Sequence, residues 1–442
     1  MKMKNNILTC ALALCALTGC IDKKIVWSPN GEEAAVIAEG GLYLCDSNGA
    51  LSALLVPDVR MAAWFPDSKR LVVSRSVECM NWADLAPLLP PERRDRIVAA
   101  ATNGLAQIRL GKTPEQALDG LTESDAGALC LYVRTVAGAR EALGTNWTEV
   151  ETNQAALDVV QVGAVSGGKI ELGPPLAREL DNVNELRVSP DGRAIAYVID
   201  TTDNAFGRVL KVTFADKPDS TTVVDSQVAK FPDWSPDGQS LVYIRAVGIV
   251  TNKEQLRLAS LTRRGVAARN GAFKIQDKPD ELAGLVFQED AKTRCLSDGR
   301  ILFSGADVRL PCAASGMPTR QQLFSISPGA EAAVKPLVPA QNLESIPQDT
   351  SFFEVNPGET RVSLVGKKAV VIVDLANGAV EKAPAPAEDP TTVPVWRTAN
   401  ELCYVTLPAG GGAAQLALWR DGHARVISGT WPEDVRKGML DK

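Results

Sequence analysis

Residues 234–244 read Trp-Ser-Pro-Asp-Gly-Gln-Ser-Leu-Val-Tyr-Ile, and this stretch decides the fold. Pro236 fixes φ, Asp237 caps a turn and Gly238 accepts positive φ, so the chain reverses there. Leu241 to Ile244 then reads as a half-buried strand. The same unit returns along the chain. Close copies are Val188-Ser189-Pro190-Asp191-Gly192 before Ala194 to Val198, and Trp27-Ser28-Pro29-Asn30-Gly31 before Ala34 to Ala38. A shifted copy is Trp64-Phe65-Pro66-Asp67-Ser68 before Leu71 to Val73. Degenerate copies follow at Cys295-Leu296-Ser297-Asp298-Gly299, Val355-Asn356-Pro357-Gly358 and Trp396-Arg397-Thr398-Ala399-Asn400.

Two further strands follow in a unit, as in Leu42 to Cys45, a turn at Ser47-Asn48-Gly49, and Leu51 to Val56. Four antiparallel strands cannot bury both faces alone, so the modules must stack on neighbours and close into a ring. The expectation is an all-β propeller of seven four-stranded blades, with six or eight left open. The copies resemble the TolB-type, WD40-like (PD40) propeller repeat, whose core is Trp-Ser-Pro-Asp-Gly before an apolar strand. The resemblance implies the fold over nearly all of the chain outside one insert. TolB also carries an N-terminal α/β domain, for which there is no room between Cys20 and Ile25.

The insert falls between Trp64 and Val188, where the repeat spacing jumps. Residues 79–153 read as a small helical domain in blade two, the propeller being 20–78 and 154–442. Pro90-Pro91 opens a helix with Ile97, Ala101, Leu105 and Ile108 at helical spacing. Thr113-Pro114-Glu115-Gln116 fits a capping box, and a third helix is expected from about Ser124 to Leu143. Trp82, Leu85, Leu88 and Leu89 are expected in the insert's own core. An exposed contact for a partner or membrane is the alternative.

The insert interrupts the connection between second and third strands. Long connections occupy that place at Asp200–Gly207, Ala246–Glu254, Gly305–Gln322 and Pro408–Ala414, whereas third-to-fourth connections are tight. Antiparallel strands put these sets on opposite faces. The elaborated face is therefore the expected binding face.

At the start, Lys2 and Lys4 precede an apolar run from Ile7 to Leu17, far short of a membrane span. Leu17-Thr18-Gly19-Cys20 resembles the lipobox of bacterial lipoproteins. The resemblance implies removal of residues 1–19 and acylation of Cys20. Ile21 lacks the aspartate of inner-membrane retention, which favours the outer membrane. About five residues then separate the lipid from the first inner strand near Ile25, roughly 17 Å when extended. The elaborated face is therefore expected to lie close to the membrane.

The chain has 47 Lys and Arg against 53 Asp and Glu, so a nucleic-acid surface is not expected. Beyond Cys20 stand Cys45, Cys79, Cys130, Cys295, Cys312 and Cys403. Cys79–Cys130 and Cys295–Cys312 would each close a local excursion as disulfides, which an exported location permits. Buried free thiols are the alternative. His423 is the only histidine and no metal spacing exists, so neither metal nor cofactor is expected. A serine hydrolase lacks its Gly-x-Ser-x-Gly motif, and Gly410-Gly411-Gly412 lacks the Lys of a phosphate loop. Asn146-Trp147-Thr148 reads as a chance glycosylation triplet. Asp67, Asp191, Asp237 and Asp298 read as turn residues, as do Asn30, Gly31, Gly192, Gly238 and Gly299.

The expected function is a lipid-anchored envelope scaffold that binds a protein, peptide or glycan. The alternative is a carbohydrate-active hydrolase or lyase using channel carboxylates. Convergent charged side chains in the channel would speak for the enzyme, and an apolar or scattered lining for the scaffold.

Overall fold

A computed structural model describes residues 24–38, 40–113, 123–200, 207–249, 256–288, 291–306, 321–327, 334–347, 350, 352–366, 369–384, 394–406 and 413–439. It is a seven-bladed β-propeller, each blade an antiparallel sheet of sequential strands. Blade one is β1 (Ile25–Trp27), β2 (Glu33–Ala38), β3 (Gly41–Asp46) and β4 (Val56–Pro57). Blade two is β5 (Val59–Trp64), β6 (Arg70–Cys79), β7 (Ala155–Ser166) and β8 (Lys169–Glu179). Blade three is β9 (Val183–Val188), β10 (Ala194–Asp200), β11 (Arg208–Phe214) and β12 (Thr222–Asp225). Blade four comprises β13 (Asp233–Trp234), β14 (Ser240–Ile249), β15 (Leu256–Arg269), β16 (Ala272–Ile275) and β17 (Asp280–Gln288). Blade five is β18 (Thr293–Cys295), β19 (Ile301–Gly305), β20 (Gln322–Ile326) and β21 (Lys335–Pro336). Blade six is β22 (Phe353–Val355), β23 (Arg361–Gly366), β24 (Ala369–Asp374) and β25 (Val380–Pro384). Blade seven is β26 (Val395–Trp396), β27 (Glu401–Thr406), β28 (Gln415–Arg420) and β29 (His423–Val426).

Every inner strand ends on the residue that opens a repeat copy. Local chemistry explains why. Ser235 Oγ donates to Asp237 Oδ1 at 2.6 Å, and Asp237 accepts from the Gln239 N–H at 2.9 Å. Gly238 sits at φ +68°, a conformation that side chains resist.

Two expectations in the strands and helices are corrected. The fourth strand of blade one is only Val56–Pro57, and Leu51 keeps a single bridge to Cys45. Ser52 Oγ takes the Leu44 N–H at 2.9 Å, so a side chain replaces the ladder carbonyl. The third helix of the insert stops at Val133 and helix resumes at Ala139–Leu143, with Gly138 at φ +71° in the N-cap position of the second piece. Blade four also gained a strand the repeat does not forecast. β15 is long enough to pair β16 with one half and β17 with the other.

The insert is built from α1 (Trp82–Leu85), α2 (Pro91–Arg109), α3 (Glu123–Val133), α4 (Ala139–Leu143) and α5 (Trp147–Thr152). Ile97, Ala101 and Leu105 are buried along α2. Leu85 and Leu89 are buried beside them, with Trp82 and Leu88 packed against the same cluster. That cluster runs on into Ala155, Leu157, Val159 and Leu180 of the propeller. The insert therefore shares its core with the blades. The Thr113–Gln116 box lies mostly outside the described residues.

A repeating contact joins neighbouring blades near the axis. Trp64 Nε1 donates to the Val26 carbonyl (2.8 Å), Trp234 to Arg187 (3.1 Å) and Trp396 to Glu354 (3.2 Å). In each case the acceptor precedes the last residue of the previous inner strand. The ring closes between blades seven and one without strand exchange. There Trp27 Nε1 donates to the Cys403 thiol at 3.2 Å instead, and Arg397 Nε donates to the Gly31 carbonyl at 3.0 Å. Trp431, Val435 and Met439, around α6 (Glu433–Gly438), seal the same seam. Trp431 Nε1 reaches the Gly49 carbonyl at 2.7 Å. No helix among the described residues is long and apolar enough to cross a membrane.

Candidate functional site

The inner strands line the axis, so the residues at their equivalent positions form layers. The position before the last residue of each strand reads Val26, Ala63, Arg187, Asp233, Arg294, Glu354 and Val395 from blade one to blade seven. Blades three to six thus present alternating charges, and blades seven, one and two present apolar groups. The layer two residues earlier holds Glu185, Phe231, Lys292 and Phe352 on the same four blades.

These groups meet one another. Arg187 Nη2 lies 3.2 Å from Glu185 Oε1, and its Nε donates to the Pro232 carbonyl at 3.2 Å. Asp233 Oδ2 accepts the Cys295 N–H at 2.8 Å and lies 3.3 Å from Arg294 Nη1. Lys292 Nζ is ion-paired with Glu354 and lies 5.8 Å from the Phe231 ring centre. Phe231 and Phe352 pack edge to face at 6.0 Å. Lys230, buried, sits 5.4 Å from the same Phe231 ring.

The field of the cluster spans the axis. Burial opposes the charge on Arg187, but Glu185, Asp233 and Glu354 outweigh it and hold the guanidinium pKa above its ordinary value. Glu354 belongs to blade six, three blades away from Arg187. At Arg294 the main influence is Asp233, which raises the pKa; burial and Arg187 oppose it and Glu354 supports it. Both arginines remain charged.

The insert is clamped to the opposite end of the first strand of this arc. Arg93 on α2 grips Asp125 Oδ1 at 2.8 Å and Asp181 Oδ2 at 2.8 Å, while Arg96 Nη2 holds Asp125 Oδ2 at 2.8 Å. Asp181 leads into β9, which carries Glu185 and Arg187. Arg60 of blade two donates to Asn182 Oδ1 at 3.1 Å. The helices are therefore clamped to the strand that opens the charged arc, on the face where second-to-third connections emerge. The other long connections of that face lie largely outside the described residues.

The residues singled out in the turns follow directly on this layer: Asp191 stands four residues after Arg187, Asp237 four after Asp233 and Asp298 four after Arg294. Asp67 accepts from the Lys69 and Arg70 N–H groups, Asp191 from Ser189 Oγ and the Arg193 N–H, and Asp298 from the Arg300 N–H. Slight burial would raise the Asp67 and Asp298 carboxyls, yet these bonds and the Arg70 and Arg300 guanidiniums pull them below the usual range. At Asp237 the Ser235 hydroxyl leads in lowering the carboxyl. Gly31, Gly192 and Gly299 all take positive φ, and Asn30 Oδ1 accepts from Ser28 Oγ. A cleft of about 410 Å³ between the turns of blades four and five is lined by Asp237, Arg263, Cys295 and Asp298.

The disulfide expectation for Cys79 and Cys130 is corrected: both are buried free thiols in the apolar core of the insert. Burial raises each thiol pKa, so both stay protonated. Cys295 is likewise a buried free thiol, and Cys312 lies outside the described residues, as does Cys20. Burial pushes the Cys45 and Cys403 thiols up to about 12. His423 is exposed at the start of β29, directly after the Asp421-Gly422 turn. Among the described residues no cluster of His, Cys, Asp and Glu could hold a metal ion.

Sequence reasoning did not single out Arg187, Asp233, Arg294 or Glu354. The signal was present: aligning the seven copies puts these residues in one column, just before the residue that opens each turn.

No protein-family model matches the chain, and no curated protein is similar to it. Solved structures are similar at low identity. TolB from Acinetobacter baumannii aligns at 15% identity and a TM-score of 0.39, over 61% of this chain and 59% of that one. The β-propeller domain of the Trilobed protease from Pyrococcus furiosus, described as an open velcro topology, aligns at 10% identity and 0.48, over 90% and 91%. Kuenenia stuttgartiensis hydrazine synthase aligns at 13% identity and 0.45, over 92% and 95%. The seven sheets of this chain establish its fold without them.

Proposed function

We propose that this chain is an envelope binding module that holds a protein, peptide or glycan partner at its central channel. The observation that carries the reading is the charged arc of Arg187, Asp233, Arg294 and Glu354 along the inner strands. Each carboxylate there faces a cation: Asp233 faces Arg294, Glu354 faces Lys292, and Glu185 faces Arg187. Such pairing orients the carboxylates as acceptors, which suits recognition. The lipobox-like Leu17 to Cys20 supports export and acylation at Cys20, with an outer-membrane address.

Crosslinked capture from native envelopes tests the binding reading. Wild type should retain a partner that Arg187→Glu/Arg294→Glu loses while still melting cooperatively. Equal recovery by both proteins would overturn it. Labelling with an alkyne fatty acid should mark wild type and spare Cys20→Ser.

Convergent charge in the channel also favours the second reading, a glycan hydrolase or lyase. Glycosidic chemistry needs one carboxyl able to donate a proton beside a free carboxylate. Product release from envelope polysaccharide, abolished in Glu354→Gln and in Asp233→Asn, would replace the binding reading with this one.

A further inference from the structure

We propose that Arg294 is a receptor for a ligand carboxylate at the end of an extended chain, with Arg187 at the same strand position two blades away. The inference rests on the binding reading above and names the chemistry of its ligand.

Among the described residues the Arg294 guanidinium is held by one edge only. It touches Asp233 through Nη1 alone, at 3.3 and 3.5 Å, the long end of a hydrogen bond. Asp233 is tied more tightly to the Cys295 N–H, at 2.8 Å. Among the described residues Nε and Nη2 of Arg294 donate to nothing, and 41% of its side chain stays open to solvent. Nε and Nη2 form the side-on fork of a guanidinium, whose two parallel N–H groups match the two oxygens of a carboxylate. Asp233 holds the group from the other edge and so sets the plane of that fork.

The surroundings select the ligand further. Arg187 opposes Arg294 electrostatically, and an anion between them relieves that repulsion. Phe231 and Phe352 form an apolar step two residues earlier along the same strands. A chain end with a terminal carboxylate and a small apolar side group beside it matches the free fork and this apolar step.

Thermal melting and calorimetric titration of the folded chain test this with three probes: trialanine, trialanine amide and inorganic phosphate. Trialanine should bind and raise the melting midpoint, and the amide should bind roughly 10- to 100-fold more weakly. Arg294→Gln should abolish the preference for the free carboxylate. Arg294→Lys keeps the charge without the fork, and should weaken trialanine about 10-fold while the amide is unchanged. Equal binding of trialanine and its amide, an unaltered preference in the variants, no binding of trialanine, or phosphate binding as tightly as trialanine would each overturn the assignment. If these results go against it while envelope capture still depends on the arginines, the carboxylate inference fails and the binding reading stands. Loss of that dependence as well removes both.

Discussion

Two arcs of the channel wall occupy the same strand position and carry opposite chemistry. Blades three to six place Arg187, Asp233, Arg294 and Glu354 there, whereas blades seven, one and two place Val395, Val26 and Ala63. The apolar arc contains the seam where the ring closes. With no strand exchanged across it, closure depends on buried side chains: Trp27 against Cys403, Arg397 on Gly31, and Trp431 with Val435 and Met439. The charged arc lies on the far side of the ring. Ring closure and ligand chemistry are therefore separated in space, and a change in one arc should leave the other intact.

The largest effect is expected at the seam. Trp431→Ala removes a buried indole and its bond to Gly49, and should cost about 3–5 kcal/mol in denaturant unfolding. Ligand specificity of the folded fraction should not change. In the charged arc, Glu354→Ala leaves the buried Lys292 without its carboxylate and should cost about 3 kcal/mol. Replacing both, as Lys292→Met/Glu354→Leu, should restore much of that stability while abolishing partner capture. Such a split between stability and capture would sharpen the contrast; parallel recovery of both would break it.

Smaller effects are expected at the repeat turns. Asp237→Ala loses the acceptor for Ser235 Oγ and the Gln239 N–H, and should cost about 1 kcal/mol. The turns also predict a pH dependence. Asp67, Asp237 and Asp298 have folded pKa values below the unfolded value, so their contribution is present above the unfolded pKa. It is lost as pH falls through the depressed folded values. Stability should decline below about pH 4, and Asp67→Asn/Asp237→Asn/Asp298→Asn should flatten that decline in melts across pH.

The contrast also explains what could be read from the chain. Turn chemistry is local: Ser235, Asp237 and Gly238 interact within a few residues, so their spacing alone announced seven strand reversals. The start of each helix near Pro91 and the apolar period of Ile97, Ala101 and Leu105 are local in the same way. Arg294 and Asp233 meet only because two blades lie side by side, and Arg187 senses Glu354 only because the ring closes. No spacing along the chain encodes those meetings. Apolar content joined Glu123–Val133 and Ala139–Leu143 into one helix, whereas Gly138 at positive φ marks a separate helix start that composition does not show. Cys79 and Cys130 share a core without bonding, a matter of direction that cysteine spacing does not hold.

The most direct measurement is photo-crosslinking in native envelopes from two positions. One carries the photoreactive residue at Phe352, beside the charged arc, and the other at the exposed Asn48, on the plain face. The account predicts a partner adduct at Phe352 that disappears with Arg294→Gln, and none at Asn48. An adduct at Asn48 with none at Phe352 would contradict it.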